Sequence, residues 1–169
     1  MSATTTEVIE VSSPPDEHDY ADAEELVRKY SFGSLAVGLV PLPLLDLAAL
    51  TAVQLHMLSR LARRFEVEFS EQRARSFIWS LVGAGGATGF RGILMTFIKA
   101  LPGPHRLAKV VTTGVFGSAA TFAIGKVFIQ HFESGGTFLT FDPEKVRAYY
   151  AEQYKHGVAL AKSVAGKRP

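Results

Sequence analysis

One apolar segment of the sequence contains a carboxylate and two prolines, residues that could serve a chemical role there. Asp46 belongs to the apolar run from Val37 to Leu50, shortly after Pro41 and Pro43. A carboxylate in such a setting could carry a proton or bind a cation. The structural alternative is a helix break. Pro41 interrupts one helix, Pro43 fits the first turn of the next, and the positive end of that helix favours Asp46. We expect this helix-break motif and leave the ionic role of Asp46 as the alternative.

Other stretches that resemble catalytic or binding motifs lack essential parts. The GxGxxxG pattern at residues 83–89 would need an acid about 20 residues further on to bind a dinucleotide, and residues 103–115 contain none. Val127 follows Lys126 where a phosphate-binding loop needs Ser or Thr. The five histidines are scattered, and the chain has no cysteine and no GxSxG motif. We therefore predict a protein without enzymatic activity, cofactor or metal.

Charge is strongly separated along the sequence. Residues 1–25 contain eight acids and no Lys or Arg, whereas the remainder holds eight acids and all 18 bases. A basic body beside apolar surface favours anionic lipid as a partner, with a merely solvated surface as the alternative. Nucleic acid fits less well, because the bases flank apolar helices instead of alternating with exposed aromatic residues.

The pattern of apolar residues predicts an all-α helical bundle with a disordered acidic tail. Residues 1–19 lack the apolar content that ordering requires, and 20–165 form one helical domain. Helices are expected over 19–32, from Pro43 to about Phe65, and after an N-cap at Ser70. Residues 137–141 (TFLTF) are expected to be a short extended link, before an amphipathic helix at about 142–164 that starts at Asp142 and Pro143.

Two apolar segments, 76–100 and 107–132, predict a central helical hairpin at about 76–132. Each reaches the roughly 20 apolar residues of a membrane span only if flanking cations extend towards lipid headgroups. Arg91 is the strongest objection to a simple span. Five residues are candidate headgroup contacts: Arg60, Arg63, Arg64, Lys109 and Lys126.

Small residues recur at helical spacing in both segments. Because glycine costs about 1 kcal/mol in a helix relative to alanine, a glycine-rich helix indicates close approach to another backbone, in lipid or in a tight bundle. The predicted helix-packing stripe consists of Gly85, Gly89, Thr113, Gly117, Thr121 and Gly125.

The chain resembles the YcjF-like bacterial domain of unknown function (family 697) over about residues 25–160. The stretches that carry the resemblance are VPLPLLDLAALTAVQLHMLSRLARRF, TFAIGKVFIQHFESGG and FDPEKVRAYY. The positions matching the family are Pro41, Pro43, Asp46, Met57, Thr121, Gly125, Phe132 and Gly136. The resemblance implies an all-helical, membrane-linked domain that works beside a GTPase domain. This chain has an acidic tail where some members carry that domain.

Together these observations predict a membrane-associated anchor or adaptor, with a small GTPase system as a partner. Its expected location is the cytoplasmic side of the bacterial inner membrane, since the first ten residues do not resemble a secretory signal. The alternative is a soluble cytoplasmic interaction module whose apolar face is covered by homo-oligomerisation. A small channel or transporter component that uses Asp46 and Arg91 is a remote third hypothesis.

Overall fold

The computed structural model describes residues 17–37, 45–84 and 106–165, and these ranges contain helices without any strand. The helices are α1 (Glu17–Val37), α2 (Leu45–Arg64), α3 (Glu71–Ala84), α4 (Arg106–Glu133) and α5 (Pro143–Ala165). The predicted all-α class is confirmed.

α4 is the central helix, and α1 and α5 make the most extensive contacts with it. α1 is antiparallel to α4, since Glu24 and Val27 lie beside Lys126 and Gly125 while Leu35 lies beside Gly114. α5 turns back along α4 after a short connection. α3 packs chiefly on α2 and α5 and contacts α4 at fewer positions, so among the described residues α3 is a minor partner of α4.

α2 runs parallel to α4, in the direction opposite to α1. Leu50 lies next to Gly117 at one end, and the rings of Phe65 and Phe132 are 6.0 Å apart at the other. The C-terminal ends of α1, α3 and α5 therefore lie at the same end of the bundle as the N-terminal ends of α2 and α4.

Several helix bounds agree with the sequence pattern. α2 begins two residues after Pro43 and ends one residue before Phe65. α5 begins at Pro143, and the Asp142 side chain caps it by accepting a hydrogen bond from the Glu144 amide at 3.0 Å. An aspartate before a helical proline satisfies amides that have no partner within the helix.

The N-terminal prediction needs a correction. Residues 17–19 belong to α1, which begins at Glu17 and continues past Phe32 to Val37. The rest of the predicted tail, 1–16, lies outside the described residues, as do residues 85–105 of the predicted hairpin. Ser31 lies just before Phe32 and Ser34 just beyond it, and both are buried and donate side-chain hydrogen bonds to carbonyls one turn earlier. Polar residues with such partners can continue a buried helix.

An aromatic cluster forms the core where α3, α4 and α5 meet. Phe128 stacks on Phe141 with ring centroids 4.5 Å apart, and Phe77 packs on Phe141 at 4.6 Å. Phe138 is buried against Phe128 at 5.5 Å. Contacts of this kind add to the free energy that burial alone supplies.

The extended link predicted at 137–141 is wrong, because this segment folds as a turn. The Thr140 amide donates to the Thr137 carbonyl at 3.2 Å. Gly135, with φ of +78°, reverses the chain just before it. The turn directs Phe138 and Phe141 into the core and leaves Leu139 exposed. The two phenylalanines of this segment therefore contribute to core packing.

Candidate functional site

The small residues of α4 line its contact with α1. A Cβ atom at Gly125 would lie 2.5 Å from the Val27 methyl groups, and one at Gly117 would lie 3.6 Å from the Ser34 carbonyl oxygen. The structure thus brings Gly117, Thr121 and Gly125 together on one intramolecular seam. Of the remaining stripe residues, Gly85 and Gly89 lie outside the described residues, and Thr113 lies on α4 beyond the described side chains.

Three buried polar side chains hold α1, α2 and α4 together within this seam. The hydroxyl oxygens of Ser34 and Thr121 are 2.9 Å apart, and Gln54 Nε2 donates to Thr121 Oγ1 at 3.3 Å. Because Ser34 donates its own proton to the Tyr30 carbonyl, Thr121 donates to Ser34. Each member of this polar trio is at most 1% exposed, so the network fixes how the helices pack.

Lys126 forms a second link between α1 and α4. Its Nζ atom is paired with the Glu24 carboxylate and lies 5.8 Å from the centre of the Tyr20 ring. Burial lowers the pKa of Lys126, but the hydrogen bond and charge of Glu24 outweigh burial and leave the pKa above its ordinary value. Tyr149 lies in the same electrostatic environment, and burial raises its pKa.

Two of the five predicted headgroup contacts form ion pairs between helices, and the headgroup role of all five stays a prediction. Lys126 is engaged with Glu24, and Arg64 is paired with Asp22 of α1, so both contribute to contacts inside the bundle. Arg60 and Arg63 are exposed at the end of α2. Lys109 lies on α4, outside the described side chains.

The predicted helix break falls largely outside the described residues. α1 ends at Val37 and α2 begins at Leu45, and both Pro41 and Pro43 lie in the interval between them. Asp46 is the second residue of α2, within its first turn, where a carboxylate complements the helix dipole. The Asp46 side chain and the whole of Arg91 lie outside the part of the chain that the structure describes.

A groove of about 640 Å³ runs between α2 and α3 and was not predicted from the sequence. Trp79 is 47% exposed beside it, and its charged end contains the Glu71–Arg75 ion pair at 2.6 Å. The residues that line the groove are Ala48, Thr51, Ala52, Leu55, His56, Ser59, Phe69, Glu71, Arg75 and Trp79. Small side chains of α2 therefore line the groove, and the Trp79 indole and an ion pair lie at its borders.

The sequence signal for this groove was present but incomplete. Trp79 is the one tryptophan of the chain, and an exposed aromatic ring in a helix favours a contact surface. Its neighbours could not be identified until the packing of α2 against α3 was known.

In the described ranges, no three His, Asp or Glu side chains come together as metal ligands.

Within the described ranges, no helix has both the length and the apolar character needed to cross a bilayer.

The family described as "Domain of unknown function (DUF697)" matches residues 10–157. The chain is 36% identical to "Magnetosome membrane protein 22" of Magnetospirillum gryphiswaldense over 149 residues, which cover 86% of this chain and 75% of that protein. No solved structure matches the chain.

Proposed function

This chain belongs to the DUF697 family, and from that premise we propose that it is a non-enzymatic, membrane-associated helical protein that acts as an anchor or adaptor. The observation that carries the proposal is its likeness, across most of both chains, to a protein named as a magnetosome membrane protein. Such extensive similarity favours a common setting at a membrane.

Membrane association is tested by expressing the untagged chain in a bacterium and fractionating the cells. We expect the chain to sediment with membranes, and an alkaline carbonate wash distinguishes an inserted chain from a peripheral one. A cytoplasmic marker enzyme serves as the control for trapped contents. Recovery of the chain entirely with that marker would contradict the proposal.

The adaptor role is supported by the groove between α2 and α3. Its apolar floor and the Glu71–Arg75 ion pair at one end resemble protein-binding surfaces, in which an apolar centre is bordered by polar groups. A protein of a small GTPase system is the proposed occupant, as the family resemblance implies.

Site-specific photo-crosslinking tests the occupant of the groove. A photoreactive residue at Ser59, in the groove, is compared with one at Ser163, an exposed position on α5. We expect a crosslink to a GTPase from Ser59 alone, identified by mass spectrometry. Absence of a GTPase adduct, or equal yields from both sites, would contradict this assignment.

The second candidate function, a soluble oligomeric interaction module, is favoured by one observation. Gly125 is covered by α1, and Gly117 by α1 and α2, within one chain, so their close packing needs no lipid. Light scattering without detergent distinguishes this candidate, which requires a monodisperse oligomer that does not bind vesicles.

A further inference from the structure

The groove between α2 and α3 is bordered by two basic side chains of α2. Arg60 follows Ser59, which lines the groove, and Arg63 comes one turn later; both arginines are exposed. Neither is hydrogen-bonded or paired with an acid in the part of the chain that the structure describes. Glu71, the acid that lines the groove, is already paired with Arg75. Unpaired cations beside an apolar surface favour an acidic occupant.

The chain itself contains an acidic segment that suits this groove. Residues 1–16 precede α1, lie outside the described ranges and contain no Lys or Arg. Within them, residues 7–11 read EVIEV, which combines two glutamates with three aliphatic residues. Such a segment offers carboxylates to a basic edge and aliphatic side chains to an apolar floor.

The fold brings the start of α1 close to the charged end of the groove. Asp22 of α1 is paired with Arg64, the last residue of α2, and the two helices run in opposite directions. Five residues of α1 separate Asp22 from Glu17, and five of α2 separate Arg64 from Ser59. At 1.5 Å per helical residue, Glu17 is about 15 Å from the level of Ser59 along the bundle.

The intervening chain is long enough to reach the groove. Neighbouring helices are about 10 Å apart, so the diagonal from Glu17 to Ser59 is about 18 Å. The six residues from Val11 to Glu17 span about 20 Å when extended. Residues 7–11 then cover about 13 Å more, close to the roughly 16 Å of α2 between Ser59 and Ala48.

Resting on the proposed use of this groove by a partner protein, we infer that residues 7–11 occupy the groove until the partner displaces them. The two glutamates of this segment pair with Arg60 and Arg63, and its aliphatic side chains cover the apolar floor beside Trp79. A short link gives such a segment a high effective concentration at its own site. The acidic segment therefore regulates access of the partner to the groove.

Photo-crosslinking of the purified full chain tests this contact in the absence of any other protein. The photoreactive residue replaces Ser59, and a control chain carries it at the exposed Ser163 on α5. Trypsin leaves residues 1–28 as one peptide, because Arg28 is the first Lys or Arg, and fragmentation locates the crosslink within it. We expect an adduct between Ser59 and residues 7–11, and none from Ser163.

Charge reversal tests the contribution of the two glutamates. E7K/E10K should lower the yield of this adduct at least about threefold, because two attractive pairs become repulsive. The matched control is E144K/E152K, which makes the same change in net charge at exposed positions of α5 and should leave the yield nearly unchanged. Equal losses in the two variants would overturn the inferred pairing.

The remaining outcomes separate this regulation from the proposed function. An adduct to a second copy, identified in a mixture of isotope-labelled and unlabelled chains, or no adduct to residues 7–11, would overturn the intramolecular contact and leave the GTPase assignment intact. In cells, E7K/E10K should raise the yield of the GTPase adduct from Ser59, and an unchanged yield would overturn the competition. An intramolecular adduct without any GTPase adduct, even from E7K/E10K, would support the contact and contradict the GTPase assignment alone.

Discussion

At the scale of single residues, Gly125 shows how a small side chain decides where two helices meet. The space in which its Cβ atom would lie is occupied by both methyl groups of Val27. Valine is β-branched and has few alternative rotamers in a helix, so it cannot easily withdraw. The glycine's low helix propensity is thus offset by the close contact of α4 with α1.

We predict that Gly125→Ala destabilises the chain by about 1–3 kcal/mol, because the added methyl group overpacks the seam. The matched control is Gly33→Ala in α1, where an added Cβ atom meets nothing within 4 Å. That substitution should stabilise the chain by about 0.5–1 kcal/mol. Chemical denaturation of both variants measures the difference, and equal effects would show that helix propensity, not packing, governs position 125.

Lys126 makes a second residue-scale contribution, which depends on pH. Its pKa in the folded chain lies above the ordinary value of 10.5, so folding favours the protonated form. The Lys126–Glu24 pair therefore contributes its full stabilisation below pH 10.5, and the contribution is lost as pH rises through the folded pKa.

We expect Lys126→Met to lower the free energy of unfolding at pH 8 by about 1–2 kcal/mol, and this deficit to shrink above pH 10.5. The control is Lys29→Met, since Lys29 pairs with Glu25 at 2.8 Å but its side chain is 73% exposed. Exposed pairs contribute at most about 1 kcal/mol. Denaturation curves at several pH values test this, and a deficit for Lys126→Met that is independent of pH would contradict it.

At the scale of helices, α2 and α4 end with the same backbone geometry but different residues. After α4, Gly135 has φ of +78°, and the Gly136 amide donates to the His131 carbonyl at 2.9 Å. After α2, Glu66 has φ of 53°, and the Val67 amide donates to Ala62 at 2.8 Å. Glycine takes this left-handed conformation without steric cost, whereas glutamate does not.

Glu66→Gly should therefore stabilise the chain by about 0.5 kcal/mol, because the relieved strain of about 1 kcal/mol exceeds the cost of added flexibility. Glu68→Gly, two residues later and also exposed, has no positive φ to relieve and should be destabilising. Thermal unfolding distinguishes the two. A lower melting temperature for Glu66→Gly would show that the Glu66 side chain makes a contribution beyond its backbone conformation.

The same elements show what could be predicted from the sequence. Asp142 and Pro143 begin α5 because capping and proline geometry depend on adjacent residues alone. The Lys126–Glu24 pair joins residues 102 positions apart, and the sequence pattern assigned Lys126 to headgroups instead. The inward positions of Phe138 and Phe141 depend on the turn after Gly135 and on the Phe77 ring of another helix. Long-range packing, not local preference, determined these features.

At the scale of the whole molecule, the polar trio joins three helices of the bundle. Ser34, Gln54 and Thr121 are buried and hydrogen-bonded within the seam, so they fix how α1, α2 and α4 pack.

The most direct test of membrane association is flotation of the purified full chain through a density gradient with vesicles of graded phosphatidylglycerol content. We predict that the chain floats with the vesicles and that the bound fraction rises with anionic lipid. We also expect salt to reduce binding without abolishing it, since apolar surface contributes to binding besides charge. A chain that remains at the bottom of the gradient at every lipid composition would contradict membrane association.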